Sequence, residues 1–339
     1  MSLVDKILAV SKSNYSSILS ESEFFHFDIK PITTDIPIMN IALSGKIDGG
    51  LKPGILQIAG ESKHFKTLYG LNFVSEFLNE YQDGVCVFYD TEGGSNEAYF
   101  DRYNIDTNRV IHTPITSVEQ MKTEISNLLD MLKKEKTKQN VIIFFDSLGN
   151  LASKKEIEDA IEEKSVADMT RAKQIKSLFR IINMDINLLK IPMIVINHTY
   201  KSQSFISTDV VSSGTGAYYN SNDIWIVKRK QHKDSKELKG YEFKIVIEKS
   251  RFVKEKSEFP INVYWEDGIH KYSGLSQLAL ESKIIKLDKD EERKGKPKIY
   301  RYKDIFTYVD KEDIDETFWQ KVLKDEDFTN YITNKYKIN

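Results

Sequence analysis

Short apolar runs bounded by turn residues recur along the first two thirds of the chain, at 55–59, 85–89, 110–112, 141–145, 193–197 and 223–228. Runs of that length and continuity predict strands buried on both faces. Between them, apolar positions fall at helical spacing over 67–79, 96–103, 117–135 and 165–189. Strands alternating with helices predict an α/β fold with a mostly parallel central sheet flanked by helices. Two further runs, 242–248 and 260–265, follow with no helix between them and predict an antiparallel extension of the sheet.

The pattern weakens at both ends and suggests three parts. Residues 1–33 read as a short amphipathic helix followed by the aromatic cluster Phe24, Phe25, His26 and Phe27. Such a cluster packs on a neighbouring copy or on its own core, and the pattern does not choose between them. Residues 34–283 carry the α/β core, with a short helix near 275–282. The small C-terminal region 284–339 begins with the charged, Gly-interrupted run 288–298, which reads as a linker or loop, and 299–339 is rich in tyrosine and lysine. Lys296, Lys298, Arg301 and Lys303 make duplex-DNA contact an expectation for it.

Composition narrows the class without identifying a ligand. With 339 residues and 40% apolar composition the chain can bury a large core. Its 49 Lys plus Arg nearly balance 51 Asp plus Glu, so any anion-binding surface must be a local patch. The single cysteine, Cys86, excludes an internal disulfide and fits a reducing compartment. No uncharged apolar run approaches the roughly 18 residues of a membrane span, so a soluble protein is expected.

Chemistry concentrates at the ends of the strands. Gly60, Glu61, Ser62, Lys63, His64, Phe65, Lys66 and Thr67 lie between a strand and a helix, the setting of a phosphate-cradling P-loop. In that role backbone N–H groups hold phosphates, Lys66 reaches the outer ones and the Thr67 hydroxyl binds Mg2+. Phe65 stands where the motif has its second glycine. An aromatic there lacks glycine's freedom to take positive φ, so a somewhat differently shaped loop is expected, with Lys66 and Thr67 still aimed at the phosphates.

The run 141–145 ends in Asp146, suited to supporting the metal, and the run 85–89 leads to Glu92 before Gly93 and Gly94, suited to polarising an attacking water. Taken alone, a strand-ending residue such as Asp146 is more often a turn or helix cap, and Glu92 reads first as a solvated loop acid. A fourth strand ends in Asn197 and His198.

With these residues assembled, the chain resembles the RecA recombinase superfamily, and within it the UvsX-type phage recombinases. The resemblance covers about residues 23–283 and is carried by the stretches 36–45, 61–67, 146–156, 196–200 and 248–256. UvsX-type loops also carry Phe before the lysine, which makes Phe65 a group trait. The resemblance implies ATP and Mg2+ as cofactors, with Lys66, Thr67 and Asp146 holding phosphates and metal and Glu92 activating water. It places Asn96 and Tyr99 against the adenine ring and makes His198 the γ-phosphate sensor. Lys249 and Arg251 match a basic pair that reaches across a subunit interface to the neighbour's ATP; on their own they read as a solvated basic edge.

The resemblance also implies two DNA-binding loops. The first, about 152–166, carries Lys154 and Lys155 and leads into a helix with Arg171, Lys173, Lys176 and Arg180. The second, about 199–219, carries Lys201, Ser213, Gly214, Thr215 and Gly216, small and basic residues that let backbone and charge approach phosphates. Loops this long without structure are usually functional.

The function implied is an ATP-dependent homologous recombinase that polymerises through residues 1–33 into helical filaments on single-stranded DNA. It pairs that strand with a homologous duplex in recombination, repair and recombination-dependent replication. The partners implied are single-stranded and duplex DNA, further copies of the chain, a phage single-stranded-DNA-binding protein and a recombination mediator, in the cytoplasm of the infected bacterial host. A helicase-like ring ATPase of the same fold is the alternative, although residues 1–33 are short for its accessory domain. A nucleotide-binding scaffold without turnover is a third reading, disfavoured by the joint presence of Lys66, Thr67, Glu92 and Asp146.

Overall fold

The structure is a computed structural model that describes residues 1–13, 15–22, 30–95, 97–135, 137, 139–163, 170–202, 209–212, 214–230, 240–287, 298–309 and 316–338. The aromatic cluster 24–27 lies outside the described residues. The chain divides into two compact units, Met1–Pro31 and Ile32–Asn339.

The first unit holds helix α1 (Leu3–Val10), opened by a capping box in which Ser2 and Asp5 satisfy each other's backbone N–H. None of its residues is buried.

In the second unit α2 (Pro37–Ser44) precedes β1 (Gly54–Gly60), α3 (Lys66–Glu80), β2 (Val85–Asp90), α4 (Glu97–Arg102), β3 (Val110–Pro114), α5 (Val118–Lys134) and β4 (Val141–Asp146). Then come α6 (Lys154–Ile161), α7 (Thr170–Leu188), β5 (Pro192–Lys201), β6 (Asp209–Val211), α8 (Gly214–Asn220), β7 (Asp223–Lys230), β8 (Gly240–Lys249), β9 (Glu258–Tyr264) and β10 (Gly268–Ile269). The chain closes with α9 (Leu275–Glu281), β11 (Lys286–Leu287), β12 (Lys298–Tyr302), β13 (Ile305–Val309), α10 (Glu316–Leu323) and α11 (Glu326–Tyr336).

Ten strands form one sheet in the order β10-β9-β8-β7-β1-β5-β4-β2-β3, with β6 paired to β5 outside that path. From β7 to β3 neighbours run parallel, and β8, β9 and β10 add the antiparallel extension. β1 and β4 are buried at every position because helices cover both faces. Alternate residues split between two cores. Leu56, Ile58, Phe144 and Trp225 pack with α2 and α3, while Ile55, Ile143, Phe145 and Val195 pack with α5 and α7. The first core also takes in Phe318, Trp319, Phe328 and Ile332 of the two last helices, so the C-terminal region is packed onto the sheet domain.

Two segments expected to be irregular carry structure. The stretch after Ala152 is helical over 154–161, because Ser153 and Glu156 form a capping box that satisfies its first backbone donors. The stretch after Thr199 continues β5 to Lys201, returns as β6 and enters α8, with 203–208 and Ser213 outside the described residues. The pairing Thr199–Val211 to Lys201–Asp209 makes this a hairpin, where the resemblance implies a loop.

Candidate nucleotide and DNA site

The register of the parallel strands sets the site. Gly60 lies beside His198, and Asp90 lies beside Asp146, so four strand ends deliver their polar residues to one edge of the sheet. A cavity of about 420 Å³ opens there, lined among others by Ser62, Lys63, Lys66, Thr67, Glu92, Tyr99, Asp146 and His198. That volume lies within the range of small-ligand sites.

Lys66 opens α3 and is 6% exposed; its ammonium donates to the Glu61 carbonyl at 2.8 Å. Burial lowers its pKa, opposed by Asp146 and Glu92. The Thr67 hydroxyl donates to Asp146 Oδ2 at 2.6 Å. Burial raises Asp146 to about 6, against the Thr67 hydrogen bond. The Asp146–Ser147 peptide is cis.

Glu92 is held differently. Its Oε1 accepts from the Ser147 hydroxyl at 2.7 Å and from His198 Nε2 at 3.3 Å. Chiefly the His198 hydrogen bond lowers its pKa to about 2. Asp90 fixes the loop that carries it, Oδ1 accepting from the N–H groups of Glu92 and Gly93 at 2.8 Å each. His198 approaches this closely only because residue 149 is glycine: a Cβ there would stand 2.1 Å from His198 Cδ2.

Phe65 overturns the expected reshaping of the loop. It adopts φ 55° and ψ 25°, the left-handed conformation glycine would take, and Lys63 is also left-handed at φ 62°. The conformation costs a bulky residue about 1–2 kcal/mol. Its ring packs edge-on to Phe243 at 5.8 Å between centroids and near Tyr241 at 6.3 Å, which offsets that cost. His64 is buried behind it, Nδ1 2.8 Å from the Val227 carbonyl.

Beyond the nucleotide-facing loop, a buried polar network runs through the sheet. Asn197 Oδ1 accepts from His198 N at 2.8 Å and from the Ser212 hydroxyl at 2.6 Å, while Nδ2 donates to Gln57 Oε1 at 3.1 Å. Gln57 Nε2 donates to the Ser221 hydroxyl at 2.7 Å. His198 is thus joined to the turn that ends the β5–β6 hairpin, since Ser212 N also donates to its carbonyl at 2.8 Å.

The donor set fits a nucleoside triphosphate with Mg2+. A buried ammonium, a hydroxyl beside a carboxylate and a loop of N–H groups face one cavity, and among the described residues no group of three His, Cys, Asp or Glu side chains could cage a metal. Mg2+ characteristically completes its shell with phosphate oxygens and water, which this set requires. Tyr99 and Trp265 supply aromatic surface on the cavity wall. Asn96 lies outside the described residues.

The remaining candidates are distributed. Lys249 and Arg251 sit at the far end of the sheet: Lys249 pairs with Ile224 at the start of β7, opposite the edge that carries Lys66. Its ammonium donates to the carbonyls of Tyr218, Tyr219 and Ser221 at 2.8–3.0 Å, closing α8, and burial lowers its pKa. Arg251 is exposed. Among the expected DNA contacts, Lys154 and Lys155 are exposed on α6, Lys155 pairing with Asp159 at 3.0 Å. Lys176 is exposed on α7 beside Gly216, where a Cβ would meet its Cα at 2.4 Å. Gly214 and Thr215 are exposed at the start of α8.

Three expected DNA contacts are engaged within the fold. Gly216 is buried where α8 meets Lys176. Lys201 pairs with Asp209 and lies 3.6 Å from Glu61. Arg171 donates to the carbonyls of Leu148, Gly149 and Leu151, so its guanidinium braces the turn after Asp146.

Ser147, Arg229, Tyr241 and Trp265 were not legible as site residues, yet Ser147 holds Glu92 and the other three line the cavity. Strand parity could have found Arg229, two residues beyond Val227 on the face that meets the loop. Nothing local marks Trp265, which Arg102 fixes by donating to its carbonyl at 2.9 Å.

A family model for the RecA N-terminal domain matches residues 8–270. A recombination and repair protein of Enterobacteria phage T4 is 42% identical, over 99% of this chain and 86% of its own length. The RecA proteins of Malacoplasma penetrans and Syntrophus aciditrophicus are 23% and 24% identical, over 83% and 76% of this chain and 82% and 73% of their own lengths.

Proposed function

The chain belongs to the RecA family, and on that premise we propose that it is an ATP-dependent homologous recombinase, a DNA-dependent ATPase that assembles on single-stranded DNA and exchanges it into a homologous duplex. The observation that supports this most is β5. One strand carries His198 to Glu92 at the nucleotide cavity and continues without a break into the hairpin expected to meet DNA. Nucleotide state and DNA contact therefore share a backbone.

In this reading Lys66 and the N–H groups of 60–67 hold the phosphates, and Thr67 with Asp146 would hold Mg2+, which would supply charge neutralisation. Glu92, with a pKa of about 2, is ionised at neutral pH and too weak a base to hold a proton. It orients the attacking water by accepting its hydrogen bond, and Ser147 fixes the carboxylate for that task. A γ-phosphate competes with Glu92 for the Nε2 donor of His198, and Asn197 passes the resulting displacement to Ser212. Arg251, exposed and remote from its own chain's cavity, serves the cavity of the next copy and stabilises charge on the transferred phosphoryl group, while Lys249, expected to share that task, is held by the carbonyls that close α8.

Residues 1–33 join successive copies, α1 presenting exposed Leu3, Val4, Ile7 and Val10. Lys154, Lys155, Lys176 and the exposed Gly214 and Thr215 contact the strand. A phage single-stranded-DNA-binding protein and a mediator complete the assembly in the host cytoplasm.

ATP hydrolysis measured with and without single-stranded DNA, with electron microscopy of the same mixtures, tests this reading. DNA-stimulated turnover on helical filaments is expected. Closed hexameric rings would sink it in favour of a helicase-like motor, and nucleotide binding without turnover in favour of a scaffold.

A further inference from the structure

β8 ends at Lys249, and residues 250–254 leave the sheet as irregular backbone whose polar groups need partners outside any strand ladder. On one side they find Asp223. The Ser250 hydroxyl donates to Asp223 Oδ1 at 2.5 Å and accepts from the N–H groups of Phe252 and Val253 at 3.1 Å each.

On the other side they find the C-terminal end of the chain. Val253, fully buried, forms an antiparallel bridge with Lys337; Lys254 N donates to the Tyr336 carbonyl at 2.9 Å and Ile338 N to the Phe252 carbonyl at 2.8 Å. The Lys254 ammonium donates to the carbonyls of Asn334 and Lys335 at 3.0 and 2.9 Å, satisfying the last turn of α11. The Tyr336 ring lies on Phe259 at 4.7 Å between centroids. Lys337 fits only against a residue without a side chain: a Cβ on Gly45 would stand 2.7 Å from its Cα. α11 is itself anchored, with Phe328 and Ile332 fully buried, so the contact is a fixed surface and not a loose tail.

We propose that residues 334–338 are a brace that positions Arg251, between Ser250 and Phe252, for its work across the subunit interface. The proposal rests on the reading that Arg251 serves the neighbouring copy's nucleotide. Arg251 depends on the brace more than Lys249 does, because Lys249 is held independently by the three carbonyls that close α8. Without the brace the segment keeps only the Ser250–Asp223 anchor, and the guanidinium loses a fixed starting point for reaching a neighbouring phosphate.

The test combines Ile338→Pro with Lys254→Met. Proline removes the N–H that meets Phe252 and leaves α11 intact, since Lys337 already has φ −70° and ψ 141°, the conformation a residue before proline prefers. Methionine removes the ammonium and keeps the apolar stem. DNA-stimulated kcat should fall about tenfold or more, as it does when a catalytic group is misplaced by about an ångström. The Kd values for ATP and for single-stranded DNA should stay within twofold.

Mixing the double variant with Lys66→Ala protein should raise turnover above the sum of the two alone, because each Lys66→Ala copy lends a positioned Arg251 to a neighbour with an intact cavity. Arg251→Ala mixed with Lys66→Ala runs in parallel and tests the underlying reading. No rescue in that mixture overturns trans catalysis, and the brace with it. Rescue there but none for the double variant, or wild-type turnover in the double variant, overturns the brace alone.

Discussion

The two ends of the central sheet both carry perturbed charges, yet those at one end line a cavity and those at the other are met by groups of the fold. At the carboxyl ends of β1, β2, β4 and β5, Lys66 is depressed by burial, Asp146 is raised to about 6 and Glu92 is lowered to about 2, and all three line a cavity. At the other end burial raises Asp223 to about 6 as well, but its carboxylate takes the Ser250 hydroxyl, and Lys249 and Lys254 close the last turns of α8 and α11. A shifted pKa therefore does not by itself distinguish a ligand site from a structural anchor here. What distinguishes them is whether the missing partner is supplied by the fold or by something that enters.

The largest effects should fall on the cavity side. Lys66→Ala removes the charge that meets the phosphates, and ATP turnover should drop about 10³-fold. Glu92→Gln keeps the shape and loses the charge that orients water, so turnover should drop about 10²-fold while ATP and DNA still bind. Unchanged turnover in Glu92→Gln would refute its assignment.

Titration separates the two aspartates, which share a pKa of about 6. Mg2+ needs Asp146 ionised, so Mg2+-dependent ATP binding should weaken as pH falls through 6, by about tenfold per unit for one proton. Asp146→Asn should lack that proton relative to the wild type, and Asp223→Asn should retain it. Stability reads both residues. Asp223 and Asp146 each bind a proton more tightly folded than at the ordinary value of 3.8, so the fold loses stability as pH rises from about 4 through about 6 and is level above that. Asp223→Asn should remove its own share of this slope in denaturant titrations and leave that of Asp146, and an unchanged slope would mean that the Asp223 carboxyl is solvated.

The same contrast explains what the amino-acid pattern could reveal. Apart from Tyr99 on α4, the candidates that line the cavity lie on or just after an apolar run: Ser62–Thr67 after β1, Glu92 after β2, Asp146 ending β4 and His198 within β5. Parallel pairing then aligns those ends without further information, and β8 and β9 were legible as an antiparallel extension for the same reason. Arg171 was read as a free cation because the carbonyls that hold it, those of Leu148, Gly149 and Leu151, are brought near by tertiary packing alone. The partnership of Val253 with Lys337 was likewise invisible, since no local periodicity records a contact between segments so far apart. Helix α6 is legible in the capping-box spacing of Ser153 and Glu156, although the resemblance implies a loop there.

The smallest effect concerns the residue on which the motif fails. Phe65 combines an unfavourable backbone with favourable ring contacts, and two substitutions separate the terms. Phe65→Ala loses the contacts to Phe243 and Tyr241 and keeps a Cβ in the left-handed conformation. Phe65→Gly loses the same contacts but relieves the steric cost of about 1–2 kcal/mol, against an unfolded-state entropy penalty of about 0.5–1 kcal/mol. Both should be less stable than the wild type. Glycine should be the milder by about 0.5 kcal/mol, the reverse of the usual order for an ordered backbone position. Denaturant midpoints with unchanged slopes measure the difference. If alanine proves the more stable, residue 65 is not left-handed in solution and the loop has the altered shape that its aromatic residue first suggested.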